Sequence, residues 1–242
     1  MSDNNNDNLK RTWFVTALVI LILLMDQALK IWVKTNMSYG EEFNMLGLDW
    51  ARIHFVENEG MAFGMTLGGS YGKLILSLFR IIVVSFLIYF IRQLIKEKVS
   101  FGMLASIGAI MAGAIGNILD SMFYGLIFSE SDPYHGVVAT MFPEGGGYAS
   151  FLHGKVVDMF YFPMFRGVFP EWFPFWGGES FLFFRPVFNI ADAAISVGVV
   201  SIILFHRQLF KHEEEKLEEP LVQTGDLPGE NPPQVKVDES NT

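Results

Sequence analysis

The chain has 242 residues, a formal net charge of −9, a hydrophobic fraction of 51% and no cysteine. Its mean hydropathy of +0.33 points to a bilayer rather than to one or two soluble domains. The missing cysteine excludes disulfides, a thiol nucleophile and thiolate metal sites. The absence of a basic stripe excludes nucleic acid as a partner.

Residues 1–11 are polar and are expected to be disordered. Four apolar windows then reach the ~20 residues that a helix needs to cross ~30 Å. They run from Thr12 to Val33, Lys73 to Ile95, Phe101 to Leu126 and Pro186 to Phe205. The stretch Trp13 to Met25 has the apolar core of a signal peptide, but no small-residue cleavage site follows it, so it is expected to stay as the first helix. From Glu213 onward there are nine acidic and two basic residues, so this end carries −7 of the −9. It also holds Pro220, Pro228, Pro232 and Pro233, and residues 211–242 are expected to form an acidic, disordered cytoplasmic tail.

Charge sets the expected topology. Lys10 and Arg11 precede the first window, Arg92, Lys96 and Lys98 lie between the second and third, and Arg207 and Lys211 follow the fourth. Arg52 is the only basic residue in the 38 positions from Thr35 to Gly72. The positive-inside rule places both termini and the short central loop in the cytoplasm. Residues 12–210 then form one membrane domain, with outer-face insertions at about 35–72 and 127–185. Between Phe160 and Phe188, 13 of 29 residues are Phe, Trp or Tyr, and prolines rule out a continuous helix there. This stretch reads either as an interfacial aromatic belt or as a wall for a lipid-bearing ligand.

Polar groups within apolar helices mark function or an internal pair. At 1.5 Å per residue, Asp120 lies ~28 Å from Phe101, Asp26 lies ~20 Å into the first helix, and Asp192 lies ~9 Å below an outer end at Pro186. Asp158 precedes the aromatic stretch on the same outer side. Asp26 and Lys30 are spaced i,i+4 and suit an ion pair; Asn117 with Asp120, and Asn189 with Asp192, are spaced i,i+3. Small residues Ala105, Ala109, Gly113, Ala112 and Gly116 permit close helix packing. Asp158 and Asp192 have no basic residue within one helical turn, so they are free to share a proton as an acid–base pair.

Five segments carry a resemblance. Asp26-Gln27-Ala28-Leu29-Lys30 matches D-Q-x-x-K, and Asn58-Glu59-Gly60-Met61-Ala62-Phe63 matches N-x-G-x-A-F. Ala112-Gly113-Ala114-Ile115-Gly116-Asn117-Ile118-Leu119-Asp120 is similar to G-G-x-x-G-N-x-x-D. Val156-Val157-Asp158-Met159 and Phe188-Asn189-Ile190-Ala191-Asp192 match V-V-D-F and F-N-x-A-D. In this order they resemble the lipoprotein signal peptidases, over roughly residues 12 to 210.

The resemblance implies an all-α membrane protein: four transmembrane helices, a small β-containing outer-face element and extended periplasmic loops. It implies an aspartic endopeptidase of the bacterial inner membrane that needs no cofactor or metal and works as a monomer among membrane lipids. Its substrate would be a diacylglyceryl-modified prolipoprotein, cut before the lipidated cysteine. Asp158 and Asp192 would be catalytic. Asn58, Gly60, Asn117, Asn189 and Ala191 would support substrate and pair, with Asp26, Lys30 and Asp120 as structural members.

Three departures stand out: Ser121 replaces the arginine that follows the G-N-x-x-D aspartate, Ala112 replaces a glycine, and the connections flanking Asp158 are long. Arg166 and Arg185 are the sequence candidates to replace the lost cation. The competing chemistries fare worse on the residues. None of the five histidines makes H-x-x-x-H or H-E-x-x-H spacing, a G-x-G-D element of the presenilin type is absent, and a carrier would favour internal repeats that this chain lacks.

Overall fold

The computed structural model describes residues 2–59, 69–183 and 186–205. Helix α1 (Ser2–Asn36) leads into strands β1 (Glu42–Met45) and β2 (Leu48–Asn58), and α2 (Gly69–Lys96) follows. Helix α3 (Phe101–Leu119) runs through a π turn (Asp120–Tyr124) into the short α4 (Gly125–Ile127). Strands β3 (Val156–Tyr161), β4 (Phe165–Val168), β5 (Ser180–Phe183) and β6 (Val187–Phe188) come next, and α5 (Ile190–Phe205) closes the described chain.

Among the described residues, three segments are long and apolar enough to cross a membrane: Asn4–Asn36, Gly72–Lys96 and Phe101–Ile127. The fourth expected span is described as α5 over 16 residues, short of the ~20 of a full crossing. Two boundaries differ from the sequence reading. Residues 2–11, expected to be disordered, are the first turns of α1. Asp7 and Arg11 pair there at i,i+4 (2.9 Å), and Arg11 also donates to the Val99 carbonyl and stands over the Phe101 ring. The last helix starts at Ile190 rather than Pro186, because Asn189 caps it: Asn189 Oδ1 accepts from the Asp192 N–H at 2.9 Å. Asp192 returns the bond, its Oδ2 accepting from the Asn189 N–H at 3.4 Å. This is a reciprocal capping box, and it puts Asp192 in the first turn, ~3 Å along the helix rather than ~9 Å.

Small residues hold the helices together. A Cβ at Gly113 would collide with the Ala191 carbonyl of α5, and one at Gly198 with the Ser106 carbonyl of α3. A Cβ at Gly116 would lie 2.8 Å from Asp26 Oδ2 and 3.2 Å from the Ala191 Cβ, so α1, α3 and α5 meet around this glycine. Ser106 donates across to Ser201 at 2.9 Å. The spacing of small residues thus works as close packing, which brings the backbones near enough for dispersion and cross-helix hydrogen bonds to act.

Both long connections contribute to one antiparallel sheet of order β1-β2-β3-β6, and β4 and β5 form a separate hairpin. In the sheet Asn58 pairs with Val156 and Val56 with Asp158. Asn58 and Asp158 are therefore diagonal neighbours on one face. The sheet packs on the C-terminal end of α1 and on the π turn and α4 that follow α3, through Val33, Met37, Ile53, Phe55, Tyr124, Phe128, Val157 and Met159. The aromatic stretch folds into the β4–β5 hairpin, whose connection stacks Phe169 on Phe173 at 5.0 Å and leaves Trp172 and Phe175 exposed.

Candidate active site

Four carboxylates gather where the sheet meets the helices, and they fall into two groups. The first is built on Lys30, which is fully buried. Its ammonium donates to Asp26 Oδ2 at 2.9 Å, to Asp120 Oδ2 at 2.8 Å and to Asn117 Oδ1 at 3.0 Å. Three protons meet three acceptors. Gln27 ties the two carboxylates together, donating to Asp120 Oδ1 at 2.8 Å and to Asp26 Oδ2 at 3.1 Å, and its carbonyl accepts from the Tyr124 hydroxyl at 3.1 Å. The remaining Asp26 oxygen accepts from the Ala191 N–H at 2.9 Å. Asp26 therefore holds the start of α5, which explains why position 191 is fully buried.

The second group is Asp158 and Asp192. Asp158, on β3, is 3% exposed. Its Oδ1 accepts from Asn189 Nδ2 at 2.7 Å and its Oδ2 from Asn58 Nδ2 at 3.4 Å. Asp192 Oδ1 accepts from Asn117 Nδ2 at 2.9 Å. Asn189 thus touches both carboxylates, one through its side chain and the other through its backbone N–H. Its amide also donates to Asn117 Oδ1 at 3.2 Å, which locks the two asparagines and links this group to Lys30. Burial, and then the charge of Asp192, push Asp158 up to about 7. A buried carboxyl next to a second carboxylate holds its proton closer to neutrality than an exposed one does.

The structure brings together Asn58, Asn117, Asn189, Asp158 and Asp192, and it places Asp26, Lys30, Asp120 and Ala191 in the network behind them. Gly60 lies outside the described residues, as do Arg185 and the side chain of Arg166. Sequence reasoning missed Arg80 of α2, whose Nη1 donates to Ser121 Oγ at 3.5 Å. It is the one charged residue from Leu74 to Ile91, and that isolation was the signal. The roles of Gln27 and Tyr124 were also missed. Gln27 stood inside a recognised motif, but Tyr124 reaches it only because the π turn aims it there. Among the described residues no three His, Asp or Glu side chains are grouped to hold a metal ion.

Apolar helices that enclose a buried carboxylate–amide network define a polytopic membrane protein. Residues 18–208 match the family model described as signal peptidase (SPase) II, and the chain belongs to this family of bacterial membrane peptidases. It is 52% identical over 191 residues to a lipoprotein signal peptidase of Porphyromonas gingivalis, covering 78% of this chain and 81% of that one. It is 35% identical over 221 residues to a lipoprotein signal peptidase of Amoebophilus asiaticus, covering 90% and 88%. A solved bacterial membrane enzyme is similar at 20% identity and a TM-score of 0.49, covering 86% of this chain and 93% of that one.

Proposed function

We propose that Asp158 and Asp192 are the catalytic pair of this signal peptidase, cutting diacylglyceryl-modified prolipoproteins just before the lipidated cysteine. The chain removes signal peptides from prolipoproteins as an aspartic endopeptidase. The observation that carries the assignment is Asn189, which bonds Asp158 at 2.7 Å and faces Asp192 through its own N–H at 3.4 Å. It fixes two carboxylates from different elements at one place.

The pair holds one proton and a water. The ionised member takes a proton from the water as its oxygen bonds to the scissile carbonyl carbon. When the C–N bond breaks, the other member gives its proton to the departing nitrogen, and the pair again holds one proton. The proton titrates with the pair as a unit, and the deeper burial of Asp158 favours its residence there. Asn117 is engaged at both ends of its amide and serves to orient Asp192. Asn58, whose amide already donates to Asp158 Oδ2, is the donor nearest the pair for the developing oxyanion. Both termini and the α2–α3 loop lie in the cytoplasm and the sheet on the outer side, where the lipid-bearing substrate arrives. A single chain suffices for this chemistry.

Purified protein incubated with a diacylglyceryl-modified prolipoprotein tests the assignment. Asp158→Asn and Asp192→Asn each lose at least ~100-fold in turnover, the usual size of an acid–base contribution. Near-normal turnover in either variant overturns the pair, and equal cleavage of an unlipidated precursor overturns the stated specificity.

A further inference from the structure

The family motif runs from its aspartate directly into an arginine, and this chain has Ser121 there. A guanidinium nevertheless reaches the position from another helix. Arg80 Nη1 donates to Ser121 Oγ at 3.5 Å, and Ser121 Oγ donates in turn to the Asn117 carbonyl at 3.1 Å. Asn117 is the residue that holds Asp192. Arg80 lies ~12 Å inward from Gly72 and Asp120 ~10 Å inward from Ile127, so the two reach the same depth. One turn before Arg80, Ser77 is 2% exposed and donates to the Leu152 carbonyl at 3.2 Å. These two residues form an inward polar stripe on α2, while Ile75, Leu78, Phe79, Ile82 and Phe86 are exposed and suit a lipid-facing side.

An arginine in the hydrocarbon zone is costly unless it meets partner charges. Arg80 is buried within electrostatic range of Asp192 of α5, Asp120 of the π turn and Asp158 of β3, whose charges offset the cost of burying it. From α1, Lys30 is committed to Asp26 and Asp120. Lys73, on α2 itself, pairs with Glu59 at 2.6 Å.

We propose that Arg80 is the positioning cation of this site, entering from α2 in place of an arginine at the end of α3. It fixes Ser121 and the Asn117 turn beneath Asp192, and its charge sets the pH range in which the aspartate pair holds a single proton. This inference rests on the reading of Asp158 and Asp192 as the pair. A fixed cation favours the ionised carboxylates, so its loss moves both limbs of the activity profile to higher pH.

Cleavage of a diacylglyceryl-modified prolipoprotein across pH tests it. Arg80→Gln lowers kcat/KM by roughly 100-fold and moves the profile up by about one pH unit. Arg80→Lys keeps the profile in place at a reduced rate, because it retains charge but not the planar fork. Arg80→Gln combined with Ser121→Arg returns the profile toward that of the parent chain. A profile that does not move in Arg80→Gln, or no return in the double variant, makes Arg80 a packing residue and overturns the proposal. Should Arg80→Gln not fold, the double variant decides alone: activity supports the proposal and its absence overturns it. The pair reading fails separately, through an active Asp158→Asn, whereas an unmoved profile in an Asp158-dependent enzyme removes Arg80 only.

Discussion

Lys30 satisfies two buried carboxylates and one amide oxygen at once, so its removal leaves uncompensated charge. Lys30→Met should cost about 3–5 kcal/mol, read as a large drop in Tm in detergent. Lys30→Met combined with Asp26→Asn and Asp120→Asn should recover much of that loss while remaining inactive. Asp158 behaves in the opposite way. Its carboxyl is raised to about 7, so the folded chain retains a proton that the unfolded chain has already released. The stability this contributes is complete below the ordinary carboxylate range and is lost as pH rises through about 7. Asp158→Asn, which removes the ionisation, should therefore unfold at a higher temperature than the parent at pH 8, with the advantage shrinking toward pH 5. A variant that is inactive yet more stable is what a strained catalytic group predicts. At this scale the sequence was informative wherever partners share a helix: the i,i+4 spacing of Asp26 and Lys30 announced their pair. It was silent on Asp120 as the second partner, because that contact spans 90 positions of chain.

The helix elements were legible because hydropathy and length alone identify them, and the small-residue spacing of α3 foretold close packing. Gly113 shows how close: its missing Cβ leaves room for the Ala191 carbonyl, one residue before Asp192. Gly113→Ala should push the first turn of α5 away, costing roughly 1–3 kcal/mol in stability and more in kcat than in Tm. Equal, small losses in both would separate this contact from catalysis. The start of α5 was not legible, because Asn-x-x-Asp fits a helical face as well as a capping box, and only the backbone bonds distinguish them. Strand β2 carries a readable alternation, with Ala51, Ile53 and Phe55 buried. A search for spans of membrane length passes over its 11 residues. The β4–β5 hairpin offers little to read, since its strands are only four residues each and its connection is broken by Pro170, Pro174, Gly177 and Gly178.

Across the whole molecule, β2 and β3 pair although they come from different connections, so the ends of α1 and α3 that feed them must emerge on the same side. Topology from charge and topology from pairing rest on separate physics and agree on this point. The chain has no cysteine, so single-cysteine variants give a clean test. Tyr134→Cys, at a site 89% exposed, should react with an impermeant maleimide added outside intact cells. Glu97→Cys, in the α2–α3 turn, should react only in inverted vesicles. Labelling of both from one side would reject the proposed orientation.

The π turn at Asp120–Tyr124 has a bearing on how such an enzyme can change over generations. A π turn is one residue inserted into an α-helix, and here it separates Asp120, bonded to Lys30, from Tyr124, bonded to Gln27. Deleting one residue would restore an ordinary helix but rotate everything after it by about 100°, carrying Tyr124 off Gln27 and Phe128 out of the core. Exchanging letters in this stretch is survivable, as Ser121 itself shows. Changing its length is not, so descendants of this sequence should vary in spelling here and keep the count.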